Sequence, residues 1–275
     1  MDLKLEKLKR LRDYISSKYG IYIDNDKLVS IYNKKFQKLM EKYGYNNFEQ
    51  FYKDFIFRKN SYLIEDVLSN ITVNETYFFR EEYQFEVLVN NILPDLNDRK
   101  DRNSSINILS APSSTGEEVY SIAIYIMEEG NMVHERDFML LGIDIDSKAV
   151  EKAKAGIYTE RSVYKVPPII LQKYFIKTGK YYKVKDFLRQ AVNFKVVNVL
   201  DKYSMKKLGK FDVIFSRNML IYFEEKSRLE VLTNFYSILN DNGYLFLGHA
   251  ERIPNNFPLF RQEKINGVFV YRKNG

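Results

Sequence analysis

Short apolar runs alternate with helical segments from residue 105 onwards, and this alternation limits the possible folds more than any other feature of the sequence. The predicted strands are 106–109, 138–143, 194–199 and 211–215, followed by later strands at 244–247 and 268–271. The predicted intervening helices are 117–129, 147–155 and 226–239. Strands that alternate with helices form a parallel sheet with helices on both faces. We therefore expect an α/β domain whose ligand binds where the strands end.

The first 70 residues show a different pattern. Leu5, Leu8 and Leu11 follow helical spacing, and Asp24 or Asp26 can cap a second helix. Further helices are predicted over 47–58 and from about residue 61. The sequence thus predicts an all-helical domain over 1–70 and a sheet domain over 71–275. Within the latter, a small antiparallel β-insertion is expected at about 176–193.

The composition excludes several classes of site. The chain has no cysteine, which rules out disulfides, thiolate zinc sites and cysteine nucleophiles. Its two histidines, His134 and His249, argue against a multi-histidine metal centre and a Ser-His hydrolase. No run of 18 apolar residues predicts a membrane span. We expect a soluble, cytoplasmic protein with no metal and no direct membrane insertion.

The positive charge is concentrated near the start of the chain. The formal net charge is +7, and residues 1–42 hold 11 Lys/Arg against 6 Asp/Glu. The polar face of the second helix carries Lys34, Lys35, Lys38 and Lys42. One interpretation is a solvated helical face, and the other is a docking surface for an acidic protein or nucleic acid. The excess is too mild to require nucleic acid.

A loop of small residues follows the first predicted strand and leads to Glu117 and Glu118. Small residues let the backbone approach a ligand, and the following helix begins with free N–H groups. The two acids indicate a cationic group nearby, so an amino acid zwitterion fits both demands. The alternative is a capping loop in which Thr115 is the cap.

Polar residues follow the next strands in order. Asp144 can accept two ribose hydroxyls, whereas Asp146 is better placed to cap the next helix. Asn198 offers an amide for a purine edge, and the fourth strand leads to a segment with Arg217, Asn218 and Tyr222. The glycine fingerprint of dinucleotide sites is absent. Together, the three strand ends indicate an adenosine joined to an amino acid, which is S-adenosylmethionine.

Six segments resemble, in order, the signatures of one family, the chemotaxis receptor glutamate O-methyltransferases (CheR). They are NETYFFRE (74–81), SSTGEEVYSIAI (113–124), GIDIDSKAVEKAKAGIY (142–158), VNVLD (197–201), FDVIFSRNMLIYF (211–223) and GYLFLGHAER (243–252). The resemblance implies a Rossmann-like methyltransferase sheet, a small helical N-terminal domain and a small inserted antiparallel β-subdomain. Without that context, 74–81 reads equally as a buried linker.

The resemblance also implies an activity and a set of site residues. The implied reaction transfers the methyl group of S-adenosylmethionine to glutamate carboxylates of chemoreceptors, and S-adenosylhomocysteine is the other product. The implied catalytic residues are Arg80 and Tyr222. The implied cofactor contacts are Asn74, Thr76, Arg80, Glu117 or Glu118, Asp144, Asn198, Val199, Arg217 and Asn218. Of Glu117 and Glu118, we favour Glu118 as the acid that faces the cofactor.

The implied partner is the set of cytoplasmic methylation helices of chemoreceptors, and we expect a monomer that binds no nucleic acid. The four lysines of the second helix would dock the receptor. The insertion loop at 178–182 looks short for holding a receptor's C-terminal peptide, which favours docking through the basic helix.

Two other functions are weighed against this one. The sequence pI of about 9.1 suggests a nucleic-acid methyltransferase, but the segment after the fourth strand lacks the Pro-Pro-aromatic loop of such enzymes. A non-catalytic protein that senses the cofactor or a nucleotide on the same fold is the second alternative. Arg80 and Tyr222 argue against it.

Overall fold

A computed structural model describes residues 4–129, 136–254 and 257–274, so His134 lies outside the described residues. The strands are β1 (Ile106–Ser110), β2 (Phe138–Asp144), β3 (Ile157–Thr159), β4 (Phe175–Thr178), β5 (Tyr181–Val184), β6 (Val192–Val196), β7 (Phe211–Ser216), β8 (Leu239–Leu247), β9 (Phe260–Ile265) and β10 (Val268–Lys273). The helices of the first 71 residues are α1 (Leu5–Tyr19), α2 (Asn25–Lys27), a π-helical turn (Leu28–Tyr32), α3 (Asn33–Lys42), α4 (Phe48–Ile56) and α5 (Ser61–Ile71).

The remaining helices are α6 (Tyr83–Val87), a π-helical turn (Leu88–Ile92), α7 (Leu93–Arg99), α8 (Glu117–Glu129), α9 (Ser147–Ala155), α10 (Glu160–Val163), α11 (Pro168–Tyr174), α12 (Asp186–Gln190), α13 (Lys202–Lys206), a 3₁₀ turn (Leu220–Tyr222) and α14 (Glu225–Ile238). None of these helices, over the residues described, is both long enough and apolar enough to cross a membrane.

A seven-stranded sheet forms the centre of the molecule, in the order β6-β2-β1-β7-β8-β10-β9. The first five strands of that order are parallel, and β10 and β9 extend the sheet as an antiparallel pair. The strand order reverses direction between β1 and β7. Loops that leave the carboxyl ends of these two strands therefore diverge and open a crevice between them.

Alternation along the strands explains why helices cover both faces of the sheet. Ile108 of β1 points into one buried cluster together with Phe85, and its neighbour Leu109 points into the other together with Phe235. Successive strand residues face opposite sides, so a strand with apolar residues on both faces needs cover on both. The predicted α/β fold is confirmed.

The sequence missed β9, and the reason is visible in its burial. Phe260 is buried, whereas Arg261, Gln262 and Lys264 are exposed. This edge strand pairs only with β10 and lacks the apolar alternation that reveals an inner strand. The two late strands expected in the sheet are β8 and β10.

The small inserted sheet differs in extent from the expected 176–193. It contains three antiparallel strands in the order β3-β5-β4 and so begins at residue 157. Residues 192 and 193 belong instead to β6, which pairs with β2 in the main sheet. The sequence placed the boundary wrongly because β3 is only three residues long and immediately follows α9.

The N-terminal helices pack around their own apolar cluster. Leu11, Phe36 and Phe51 are fully buried in it, and the cluster draws on residues 8–71. Side-chain caps begin three of these helices: Asp24 accepts from the Lys27 N–H, Asn47 from the Glu49 N–H and Asn60 from the Leu63 N–H. Of the two candidate caps for the second helix, the structure uses Asp24.

These helices rest on the carboxyl edge of the sheet through backbone contacts just after α1. The Tyr22 N–H donates to the Tyr222 carbonyl oxygen at 2.8 Å, and Ile21 forms an isolated β-bridge with Phe223. Gly20 ends α1 at φ +77°, where a Cβ would lie 2.1 Å from Cε1 of Phe223. The N-terminal helices can approach the sheet only because residue 20 has no side chain.

We predict that Gly20→Ala destabilises the protein more than Gly44→Ala. Both glycines have positive φ, at +77° and +71°, but no atom lies within 4 Å of a Cβ built on Gly44. The left-handed conformation alone costs about 1–2 kcal/mol, and the clash with Phe223 adds to this at residue 20. Urea unfolding of the two variants measures the difference, and equal losses would contradict the close contact.

Candidate functional site

Two adjoining cavities open at the carboxyl ends of β1, β2, β6 and β7. The smaller has a volume of about 370 Å³ and the larger about 740 Å³. Val73, Asn74, Asn218 and Tyr222 line both, so the two cavities meet at these residues. Together they form a continuous site across the crevice between β1 and β7.

The smaller cavity has an apolar floor and a roof from the N-terminal helices. Its floor residues follow successive strands and are Ile143, Ile145, Val197, Val199 and Met219. Its roof residues are Tyr19, Ile23, Ile31 and Tyr32. The Tyr19 hydroxyl is buried and has no hydrogen-bond partner within the described structure. A flat aromatic ring could be held between these two surfaces.

Asp144 is the buried acid of the smaller cavity. Its carboxylate accepts the Ser114 N–H at 2.8 Å and the Asp146 N–H at 2.9 Å, with 5% of the residue exposed. Burial raises the pKa of Asp144 to about 6, although these two N–H groups lower it. A carboxylate held this way can accept further hydrogen bonds from hydroxyl groups of a ligand.

Asp146 is the N-cap of α9, as the sequence predicted. It caps α9 by accepting the N–H groups of Lys148 and Ala149. Its other oxygen accepts the Asn74 side-chain N–H at 2.8 Å, and the oxygen of that amide accepts the Ser114 hydroxyl at 3.1 Å. Asn74 therefore links α9 to the loop after β1 at the place where the cavities meet.

The larger cavity contains the predicted catalytic pair. Arg80, Tyr222, Thr76 and Glu117 all line it. The Arg80 guanidinium donates to the Glu75 carbonyl oxygen at 3.0 Å. Glu117 is 2% exposed and accepts the Thr115 hydroxyl at 2.6 Å, and burial raises the pKa of its carboxyl group.

Helix phase reverses our preference between the two acids. Glu118 does not line either cavity, because its carboxylate accepts from Ser110 Oγ at 2.8 Å and Arg217 Nε at 2.5 Å. Glu117, one residue earlier in α8, is the acid at the cavity wall. Glu117 is therefore the acid that a ligand in the cavity could reach, and Glu118 is engaged inside the fold.

Arg217 lies behind the cavities and does not line them. Besides Glu118, its guanidinium donates to the Arg80 carbonyl oxygen at 2.8 Å and lies 4.9 Å from the centre of the Phe85 ring. Arg217 was expected to contact the cofactor, but its position behind the cavities fits support of the neighbouring loops instead. It fixes the backbone of Arg80.

The loop after β7 is held by an acid to which sequence analysis gave no role. Glu251 is 3% exposed and accepts the N–H groups of Asn218 at 2.9 Å and Ile221 at 3.3 Å. Asn218 has φ +57°, and its N–H would be only 2.9 Å from a Cβ on Gly248. The segment 243–252 was recognised as a motif, but only the fold shows that it braces Asn218 and Ile221.

Asn198 lines the smaller cavity, but its amide is already engaged. It donates to the Lys18 carbonyl oxygen at 3.0 Å and accepts the Leu200 N–H at 3.0 Å. The role of pairing with a purine edge is therefore weakened, and the structure shows a link between the sheet and α1. No local pattern in the sequence indicates that Asn198 bonds to Lys18 of α1.

The four lysines proposed for docking do not share one environment. Lys34 and Lys38 are exposed, and Lys42 is half-exposed with its ammonium on Asp66. Lys35 instead donates to the Asn70 carbonyl oxygen at 2.6 Å and lines the smaller cavity. The docking role for Lys35 is corrected, because its ammonium is used inside the fold.

A family model described as "CheR methyltransferase, SAM binding domain" matches residues 74–269. The chain belongs to the CheR methyltransferase family. It is 37% identical to chemotaxis protein methyltransferase 2 of Vibrio cholerae, over 96% of this chain and 92% of that protein. It is 36% identical to the chemotaxis protein methyltransferase of Borreliella burgdorferi, over 93% and 91%. A third relative, from Campylobacter jejuni, is 35% identical over 86% and 85%.

The cavities fit the S-adenosylmethionine that a CheR-type domain binds. Their volumes lie within the usual range for ligand sites. The smaller cavity offers an apolar slot beside one buried carboxylate, as a nucleoside requires, and the larger offers Glu117 for a cation. The buried Ser113 hydroxyl beside the site has no hydrogen-bond partner within the described structure. Within residues 4–129, 136–254 and 257–274 there is no group of three potential metal-binding acids or histidines.

We predict that affinity for S-adenosylhomocysteine falls as the pH drops below about 6, because Asp144 then becomes protonated and loses acceptor capacity. Each pH unit below the pKa weakens binding up to tenfold through this group. Asp144→Asn, which keeps the size of the side chain, should bind at least tenfold more weakly at pH 8. Titration calorimetry from pH 5 to 8 measures both effects, and equal affinities for the two proteins at pH 8 would exclude this role.

Proposed function

We propose that this chain transfers the methyl group of S-adenosylmethionine to glutamate side-chain carboxylates of chemoreceptors, giving glutamate methyl esters and S-adenosylhomocysteine. Membership of the CheR family supports the reaction. The observation that most supports it is that Arg80 and Tyr222 line the larger cavity, which adjoins the smaller cavity lined by Asp144. An acceptor carboxylate and a nucleoside could thus meet at Tyr222.

The acceptor needs no general base. A glutamate side chain has an ordinary pKa of about 4.3, so its carboxylate is ionised at neutral pH. His249 has 66% of its side chain exposed, interacts with Glu81 at 3.0 Å and lines neither cavity. When bound, S-adenosylmethionine supplies an electrophilic methyl group on a positively charged sulfur. The task left to the protein is to orient and desolvate the acceptor.

Arg80 and Tyr222 supply the hydrogen-bond donors that replace water around the acceptor carboxylate. Removing water from a carboxylate is costly unless other donors take its place. The guanidinium has five N–H donors, and a bond to the Glu75 carbonyl leaves others for a ligand. The Tyr222 hydroxyl offers one more. These donors would hold one oxygen while the other attacks the methyl carbon.

Contacts from other elements fix the backbones of both residues. The Arg217 guanidinium donates to the Arg80 carbonyl oxygen, and the Tyr22 N–H donates to the Tyr222 carbonyl oxygen. The first contact comes from the loop after β7 and the second from the segment after α1. Pre-positioned donors lose little free energy in ordering when the acceptor arrives.

We assign the cofactor contacts by position in the two cavities. Asp144 would hold the ribose hydroxyls, Glu117 the amino group, and Val199 with its apolar neighbours the adenine. Asn74, Thr76, Asn198 and Asn218 complete the walls, and Arg80 lies at the reacting end. We also propose that residues 1–70 act as a docking domain and that the protein works in the cytoplasm as a monomer.

The test is methylation of a receptor cytoplasmic fragment with labelled S-adenosylmethionine. We expect the label to be released by mild base, as a carboxyl ester requires, and Arg80→Ala to lower turnover by more than tenfold. Tyr222→Phe should lower it less, because the guanidinium remains. Urea unfolding of each variant serves as the control for folding. Base-stable label would reject ester formation, and normal turnover by Arg80→Ala would remove Arg80 from the mechanism.

A further inference from the structure

A row of lysines crosses from the N-terminal helices to the sheet domain outside both cavities. Its members are Lys34, Lys38 and Lys42 of α3 and Lys148 and Lys152 of α9, and we call this surface the lysine track. Within each helix the members are four residues apart, so they follow one helical face. Eight residues of α3 span about 12 Å, and α9 extends the track by a further turn.

Asp66 of α5 joins the two halves of the track. One of its oxygens accepts from the Lys42 ammonium and the other from the Lys148 ammonium, and the Tyr43 hydroxyl donates to it at 2.8 Å. The Asp66 side chain is 7% exposed, whereas those of Lys42 and Lys148 are 58% and 51% exposed. These contacts hold the pKa of Asp66 down, at about 2, despite burial. One buried carboxylate thus fixes two ammonium groups from different domains side by side at the surface.

The α9 end of the track leads to the larger cavity. Lys152 is exposed, and its neighbour Ala153 packs against Gly116, the residue directly before Glu117: a Cβ on Gly116 would lie only 2.8 Å from the Ala153 Cβ. Glu117 lines the larger cavity together with Arg80 and Tyr222. The track therefore runs from the docking helix to the wall of the cavity proposed for the acceptor.

The track remains positive when the neighbouring acids are counted. Asp66 neutralises one charge, Glu41 is exposed on α3, and Glu65 adjoins Tyr43. Exposed Glu151 of α9 pairs at 3.2 Å with Lys154, which lies two residues after Lys152 and so on a different face of the helix. Five ammonium groups thus lie near three carboxylates, of which Asp66 is buried and Glu41 is exposed, so the surface keeps a positive excess.

We propose that the acceptor segment of the substrate, a helix with carboxylates along one face, docks along the whole lysine track and so contacts both domains. This rests on the proposed function and adds Lys148 and Lys152 to the docking surface. Charge complementarity favours an acidic helix as the occupant. The continuity from Lys42 through Lys148 to the larger cavity would bring an acceptor glutamate near Arg80.

The first test compares Lys148→Gln with Lys154→Gln in the methylation of a receptor cytoplasmic fragment. Both variants remove one positive charge from α9, but only Lys148 belongs to the track. For Lys148→Gln we expect KM to rise at least threefold, a weaker dependence of KM on salt, and an unchanged kcat. Lys154→Gln should behave as the unmodified protein, and Lys148→Arg should restore KM. Equal KM values for the two glutamine variants would overturn the proposal.

The second test needs no variant and does not depend on turnover. Acetylation of lysines is followed by mass spectrometry with and without the receptor fragment, in the presence of S-adenosylhomocysteine. We expect the fragment to protect Lys34, Lys38 and Lys152 but not Lys154. Labelling of Lys152 at the same rate with and without the fragment would overturn the proposal even if methylation is normal. Equal protection by duplex DNA would replace the acidic helix with a nucleic acid as occupant.

The two tests separate the failure of this proposal from that of the proposed function. Absence of methylation by the unmodified protein would count against the function, whereas protection of the track would still show docking. A drop in affinity of Lys148→Gln for S-adenosylhomocysteine, with no change in protection, would make Lys148 a structural residue only and reject the docking role.

Discussion

The buried ion pair between Glu118 and Arg217 is the interaction on which the site depends. Arg217 bonds at once to Glu118 of α8 and to the Arg80 carbonyl oxygen. Breaking such a pair by removing one partner costs about 3–5 kcal/mol, because it leaves an uncompensated buried charge. The pair therefore ties the segment 74–81 to the helix after β1 and to the loop after β7. The ion pair keeps Arg80 at the cavity wall by fixing its backbone, although neither Glu118 nor Arg217 lines the cavity.

The second constraint is the close fit of the N-terminal helices on the carboxyl edge of the sheet. Gly20 allows the approach, Tyr22 bonds to the backbone of Tyr222, and Asn198 bonds to the end of α1. The roof of the smaller cavity consequently comes from the helices and its floor from the strands. The proposed docking helices and the proposed cofactor site thus share one set of contacts. The Asp66 bridge from Lys42 to Lys148 extends that coupling to the outer surface.

Much of this architecture could be predicted from the sequence because the inner strands and long helices have strong periodicity. The predicted helix over 117–129 has the bounds of α8. Edge strand β9 and three-residue β3 were missed, since exposed polar residues or short length hide the pattern. The site residues after β1, β2, β6 and β7 were expected from strand ends, where topology alone brings distant residues together. Asn74, Thr76 and Arg80 were expected only from the family resemblance.

What the sequence could not supply was the direction and pairing of individual side chains. Glu117 and Glu118 are adjacent and chemically alike, and only helix phase against Arg217 separates them. Lys35 looks equivalent to Lys34 and Lys38 until its bond to the Asn70 carbonyl is seen. Asp66, Arg217 and Glu251 act through partners more than 20 residues away, so no local pattern reveals their roles.

A crystal structure with S-adenosylhomocysteine tests the central claim most directly. The account predicts adenine in the smaller cavity, ribose hydroxyls on Asp144, the amino group at Glu117, and sulfur beside Arg80 and Tyr222. The bond between Glu118 and Arg217 should remain closed in that complex. A ligand bound elsewhere, or one that opens this ion pair to reach Glu118, would contradict it.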